Sequence, residues 1–193
     1  MAKRVFFSFH YQDVADFRAN VVRNHWTAKQ DCEEAGYFDA SIWESARLSG
    51  STGLKRLING ALEGTSNTCV LVGSETFRRP WVRYELLKSF RRGNHLFAVH
   101  INSITDKHQR TKPLGPNPLA YVGVTYSPDG KTGTLWERGA TEWTRYSEID
   151  GSASFSCNVG PAHQGKGFHL GQWYPLYDWV SQDGYNNFSS WTR

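Results

Sequence analysis

The sequence predicts an α/β fold, a flavodoxin-like parallel sheet with helices on both faces, followed by an aromatic-rich C-terminal elaboration containing a β-hairpin. Three observations carry this. Over the first hundred or so residues, short apolar runs that read as buried strands alternate with segments whose apolar residues recur at helical spacing. Gly64, Gly73 and Gly93 fall between those segments, where chain reversals are needed. Beyond residue 118 the pattern changes to short alternating stretches with turn signals, and Trp136, Trp143, Trp173, Trp179 and Trp191 place five of the eight tryptophans there.

Residues 3–9 read as a first strand whose apolar content suits the centre of a sheet. His10 to Asp13 ends it, and Asp13 is placed to cap a helix with Val14, Phe17, Val21 and His25 inward. Residues 37–40 read as a short second strand, followed by a polar stretch over 41–52 that holds Trp43. Ser51 or Thr52 caps the next helix, with Leu54, Leu57, Ile58, Ala61 and Leu62 on one face and Gly64 as its stop.

Residues 69–72 are a strand covered on both faces, and Pro80 opens a helix at the position where a missing N–H costs nothing. At about 100° per residue, Val82, Arg83, Leu86, Leu87 and Phe90 form its inward stripe. Glu85 falls on the flank of that stripe, with Trp81 one turn nearer the N-terminus. Residues 95–101 give a fourth strand, and Pro113, Pro116 and Pro118 end the regular pattern. A hairpin is expected from 120–126 and 132–137 around Ser127-Pro128-Asp129-Gly130, and a final helix within 185–193. The expected organisation is a core over 1–118 with 119–193 packed on it as part of the same domain.

At 193 residues with 39% hydrophobic content the chain can bury a real core, which excludes a disordered chain. A formal charge of +4 permits an anionic partner without selecting one. Cys32, Cys69 and Cys157 are odd in number, widely separated and without metal spacing, and no leader precedes Val5, so a reduced cytoplasmic setting is expected; no run approaches the ~18 apolar residues of a membrane span, and neither membrane nor nucleic acid is expected as partner. Residues 160–166 open like a phosphate-binding loop, but Gly167 stands where Ser or Thr would meet Mg²⁺. His163 and His169 lack a third ligand at metal spacing, so no metal is expected.

In an open parallel sheet the loop after a strand and the first turns of the next helix border the ligand crevice, which puts Glu85 where chemistry occurs. A lone Glu on a helix flank also reads as a solvated residue or half of a surface ion pair. Trp81-Val82-Arg83-Tyr84-Glu85-Leu86 resembles the Trp-Cys-x-x-Glu-Leu box of TIR domains with Val82 replacing the cysteine, and residues 7–13 resemble their opening box. The resemblance spans roughly residues 3–105, and with the aromatic-rich extension the chain resembles the TIR-like subunit of the bacterial Thoeris anti-phage system.

That resemblance implies an enzyme that cleaves NAD with Glu85 as catalytic carboxylate. It implies that Phe6, Ser8 and His10 wall the nucleotide site and that Asp39 and Trp43 lie near its mouth, with Trp81 beside the glutamate. It further implies a cyclic ADP-ribose isomer as a diffusible signal, a sirtuin-like NAD-depleting effector as partner, a phage-derived trigger, and self-association into a homo-oligomer. NAD is then substrate, with no separate cofactor. One acid suffices for this chemistry, because nicotinamide leaves as a neutral molecule and only the oxocarbenium ion needs stabilising. The alternatives are a non-enzymatic TIR-like adaptor acting by self-association through the 41–52 loop, and a nucleotide-binding or receiver-like module, the receiver reading being opposed by a first strand that ends without an acidic pair.

Overall fold

The computed structural model describes residues 3–29, 32–36, 46 and 48–192, of which Lys3 and Gln12 are described as backbone. Five parallel strands form the first sheet: β1 (Lys3–Ser8), β2 (Cys32–Ala35), β3 (Asn67–Val72), β4 (His95–His100) and, from the far end of the chain, β10 (Leu176–Asp178). Their order is β10-β4-β3-β1-β2, with Phe6 opposite Thr68, Thr68 opposite Leu96 and Ala98 opposite Leu176. All six residues of β3 are buried, as a strand covered on both faces requires.

On one face lie α2 (Arg18–Thr27) and α5 (Gly184–Trp191), joined through Val22, Trp26, Phe97, Phe188 and Trp191. On the other lie α3 (Gly50–Leu62) and α4 (Pro80–Arg92), which share a core with Val70, Val72 and Leu96 of the sheet. A buried polar chain pins α4 to β3: Thr68 donates to Ser89 at 2.9 Å, and Asn94 donates to Thr65 and Thr68 at 3.0 and 3.2 Å. Gly93 ends α4 in the left-handed conformation, φ 81°. No described helix is long and apolar enough to cross a membrane.

A second, antiparallel sheet lies beyond α4. Its path is β7 (Trp143–Arg145), β6 (Thr132–Arg138), β5 (Val122–Tyr126) and β9 (Gly167–His169), and β8 (Ser154–Ser156) also pairs with β6. The expected hairpin is β5–β6, closed by hydrogen bonds from Ser127 N–H to Thr132 and from Gly130 N–H to Ser127. Val122 and Leu135 on the inner face join the same core as Leu86 and Leu87, so α4 is covered on two sides. Three ion pairs tie the layers: Arg83–Glu137 at 2.7 Å, Lys55–Glu148 at 2.7 Å and Lys88–Asp150 at 3.3 Å.

Four expectations need revision. The second strand is Cys32–Ala35; residues 37–40 lie outside the described residues. The first helical segment is two helices, α1 (Tyr11–Ala15) and α2, broken at Phe17, which has φ 61°. That break shifts the phase: Phe17 and Val21 face water, while Ala19, Val22 and Trp26 face the core. Helix α3 begins at Gly50, with Ser49 ahead of it, so Ser51 and Thr52 are inside the helix rather than capping it. The C-terminal region is also more than a cover, because residues after the second sheet return to supply the fifth parallel strand and α5.

Candidate active site

The strands β1 and β3 end beside one another, and Pro80 starts α4 just past the turn that follows β3, so the first turns of α4 overhang the carboxyl end of β1. Glu85 is 6% exposed, and Ser8, the last residue of β1, donates to its Oε2 at 2.6 Å. The carboxyl is therefore inside the molecule, deeper than the core edge where its spacing placed it and not the solvated residue of the competing reading. The first sheet explains this: Glu85 and Ser89 lie on the side of α4 that meets Ser8 of β1 and Thr68 of β3, so they are buried with Val82, Leu86 and Leu87.

Burial pushes the Glu85 carboxyl from its ordinary value up to about 8, and the Ser8 hydroxyl opposes that rise by favouring the ionised form. The resting carboxyl is thus mostly protonated at neutral pH. It lines a cavity of ≈ 280 Å³ whose walls include Phe7, Phe9, His10, Arg79, Trp81 and Gly36. Gly36, at φ +83°, passes so close to β1 that a Cβ would stand 2.6 Å from the Phe7 carbonyl oxygen and 2.8 Å from the Phe6 ring. His10 is held below its usual imidazole value by burial and then by the Arg79 charge, so it is neutral at pH 7. The Nε of Arg79 is buried and has no hydrogen bond among the described residues.

Of the residues expected at the site, Glu85, His10 and Trp81 line the cavity and Ser8 reaches it through Glu85. Phe6 is fully buried in the core beneath Gly36 and is not among the lining residues; Phe7 and Phe9 are. Asp39 and Trp43 lie outside the described residues. Sequence reasoning missed Asp13 as a site neighbour. It is 8% exposed, accepts from Thr76 at 3.1 Å, and packs over Gly73, where any Cβ would collide with its carboxyl. Burial pushes that carboxyl up to about 6, making it a second acid withdrawn from water at the strands' ends.

A second cavity, ≈ 340 Å³, shares Pro80 and Trp81 with the first and is completed by Ser51, Lys55, Tyr84 and, from the C-terminal region, Tyr146 and Glu148. The Trp81 indole stands between the two chambers, edge-on to Tyr84 at 6.0 Å between centroids. This arrangement offers a buried acid, a neutral imidazole, a guanidinium and aromatic walls to a bent ligand with a cationic ring at one end and anionic groups along its length.

Residues 6–106 match the family model described as Thoeris protein ThsB, TIR-like domain. Over 195 aligned positions covering 100% of both chains, the sequence is 53% identical to ThsB1 of Bacillus cereus (strain MSX-D12), a candidate cyclic ADP-D-ribose synthase.

Proposed function

The chain belongs to the Thoeris ThsB family of TIR-like proteins, and from that premise we propose that it cleaves NAD and closes the ADP-ribosyl group into a cyclic isomer. The bond broken is that between ribose C1′ and the nicotinamide nitrogen, whose electron pair leaves with neutral nicotinamide. The resulting C1′ cation is captured by adenine or by a ribose hydroxyl of the same molecule, and the displaced proton passes to solvent or to a carboxylate.

The observation that carries this reading is the buried Glu85 carboxyl, hydrogen-bonded by Ser8 at the wall of the inner cavity. As the nicotinamide ring enters, its positive charge favours the ionised carboxylate, which then faces the developing oxocarbenium ion in a dry site where the attraction is strong. Arg79 and neutral His10 suit the pyrophosphate, the first by charge and the second as a hydrogen-bond donor. The chamber across Trp81 suits the adenosine end, folding the substrate around the indole and bringing an internal nucleophile near C1′ in place of water. The C-terminal region, through Glu137, Tyr146 and Glu148, helps form that chamber. NAD is the substrate, no further cofactor is needed, and a cyclic product is a signal suited to an NAD-depleting effector elsewhere in the system.

Purified protein incubated with NAD, with nicotinamide, linear ADP-ribose and cyclic isomers separated by chromatography and mass, tests this. Wild type releases nicotinamide and one cyclic isomer in equal amounts, and Glu85→Gln releases neither. Because a trigger is expected, the assay includes lysate of phage-infected cells. Full activity in Glu85→Gln overturns the catalytic assignment, and a linear product overturns cyclisation.

A further inference from the structure

The outer face of the second sheet carries a cavity that NAD cleavage leaves unused. Its volume is ≈ 420 Å³, and Trp136, Trp143, Phe168 and His169 wall it above Gly123 and Gly167. That is the size of a small-ligand site, which typically spans about 300–1,000 Å³. It shares no lining residue with either chamber beside Trp81.

Strand register shows how the face is built, since residues directly opposite on neighbouring strands project to the same side. Arg145 of β7 stands opposite Trp136 of β6, Trp136 opposite Gly123 of β5, and Gly123 opposite His169 of β9. Two residues along, Arg138 stands opposite Trp143. The first row reads cation, indole, no side chain, imidazole, and the second repeats cation and indole in reversed order. With nothing at position 123, the two rings of the first row are two strand spacings apart, roughly 9.6 Å at the backbone. One planar ring in contact with both sides needs about that width.

Polar groups inside this cavity are few. The Trp136 indole N–H is already given to the Thr125 hydroxyl at 2.9 Å, and the Gln172 Oε1 already accepts from the His169 N–H at 3.2 Å. A sugar, with a hydrogen-bonding need at every hydroxyl, is poorly served there; a heteroaromatic ring, stacked on its faces and bonded at one edge, is well served. Charge adds the other half. The Arg145 guanidinium lies 5.8 Å from the Trp136 ring centroid and that of Arg138 lies 5.6 Å from the Tyr121 ring, and neither makes an ion pair among the described residues. Glu137, between Trp136 and Arg138 in sequence, is turned to the other side and held by Arg83.

We propose that this face binds a mononucleotide, its base among Trp136, Trp143 and His169 and its phosphate on Arg145 and Arg138. The site lies on the opposite side of the sheet from α4 and does not depend on the Glu85 chemistry. Calorimetric titration of the full chain with AMP, adenosine and inorganic phosphate tests it, using wild type, Trp143→Ala, Arg145→Ala and a Glu85→Gln, Arg79→Ala double variant.

The expected result is saturable AMP binding that adenosine matches only about tenfold more weakly and phosphate alone does not show. Trp143→Ala weakens AMP about tenfold, in the range of one lost base–aromatic stack. Arg145→Ala narrows the gap between AMP and adenosine, Arg138 still holding the phosphate, and the double variant leaves one AMP site intact. Trp143 and Arg145 are exposed, so neither change threatens the core. No AMP binding, or binding lost in the double variant but kept in Trp143→Ala, overturns the proposal. So does an affinity for single-stranded oligonucleotides that climbs with length far above that for AMP, which would make the face a nucleic-acid surface.

Discussion

The inner cavity and the outer face of the second sheet keep their charge in opposite places. At the inner one, Glu85 is 6% exposed and its carboxyl is raised to about 8. On the outer face the interior is rings and glycine, and the charges, Arg138 and Arg145, sit exposed at the rim. A charge withdrawn from water is costly to form, so its ionisation answers to whatever enters beside it. A charge left in water costs little and mainly attracts. The first arrangement suits a reaction and the second suits recognition.

The sharpest way to break this comparison is Glu85→Gln, which removes the one carboxyl among the inner cavity's described lining residues. Nicotinamide release is expected to fall about 10³-fold or more, as for the loss of a main electrostatic group. Stability moves the other way. The folded carboxyl holds its proton up to about 8 against an ordinary value of 4.5, so over that window the folded state binds more protons than the unfolded state and wild type loses stability as pH rises. Urea unfolding at pH 5 and pH 9 is expected to show that loss in wild type and not in Glu85→Gln, with the difference reaching a few kcal/mol at pH 9.

Ser8→Ala sharpens it next. The Ser8 hydroxyl favours the ionised form of Glu85, so its removal lifts the carboxyl further and lowers kcat/KM at pH 7 by about tenfold, recovered at higher pH. Smaller effects are expected where the charges are wetter. A double-mutant cycle on Arg83 and Glu137, 15% and 30% exposed, is expected to give about 1 kcal/mol of coupling in unfolding experiments. The same cycle on Lys88 and Asp150, the latter 65% exposed, is expected below about 0.5 kcal/mol. Equal couplings would mean that burial does not govern these charges.

Some of this molecule is legible in its sequence because local and global signals agree. β3 and α4 combine an apolar run, a glycine stop, an N1 proline and a helical stripe, all of which the fold uses. β2 is not legible, since Cys-Glu-Glu-Ala at a sheet edge has one buried residue and no apolar run. β10 is three residues long and becomes a strand by pairing with β4, so its place as fifth strand is decided by tertiary contact. The left-handed Phe17 breaks the first helical segment without any glycine to announce it. At the site, the helix and Glu85 can be read from spacing, but the depth of Glu85 cannot, because its hydrogen-bond partner Ser8 ends a strand 77 residues earlier in the chain. Asp13 was placed as a helix cap, and its inward turn depends on the gap at Gly73.

We propose that the buried Glu85 carboxyl, bonded by Ser8, carries the reaction as its anion. The most direct measurement is the pH profile of kcat/KM for nicotinamide release from NAD, which reports ionisation in the free enzyme. The account predicts a rate that climbs through pH 6 and 7 and levels off above about 8, the value to which burial raises Glu85, with the rise moved to higher pH in Ser8→Ala. A profile flat from pH 6 to 9, or one that falls across that range, would contradict it.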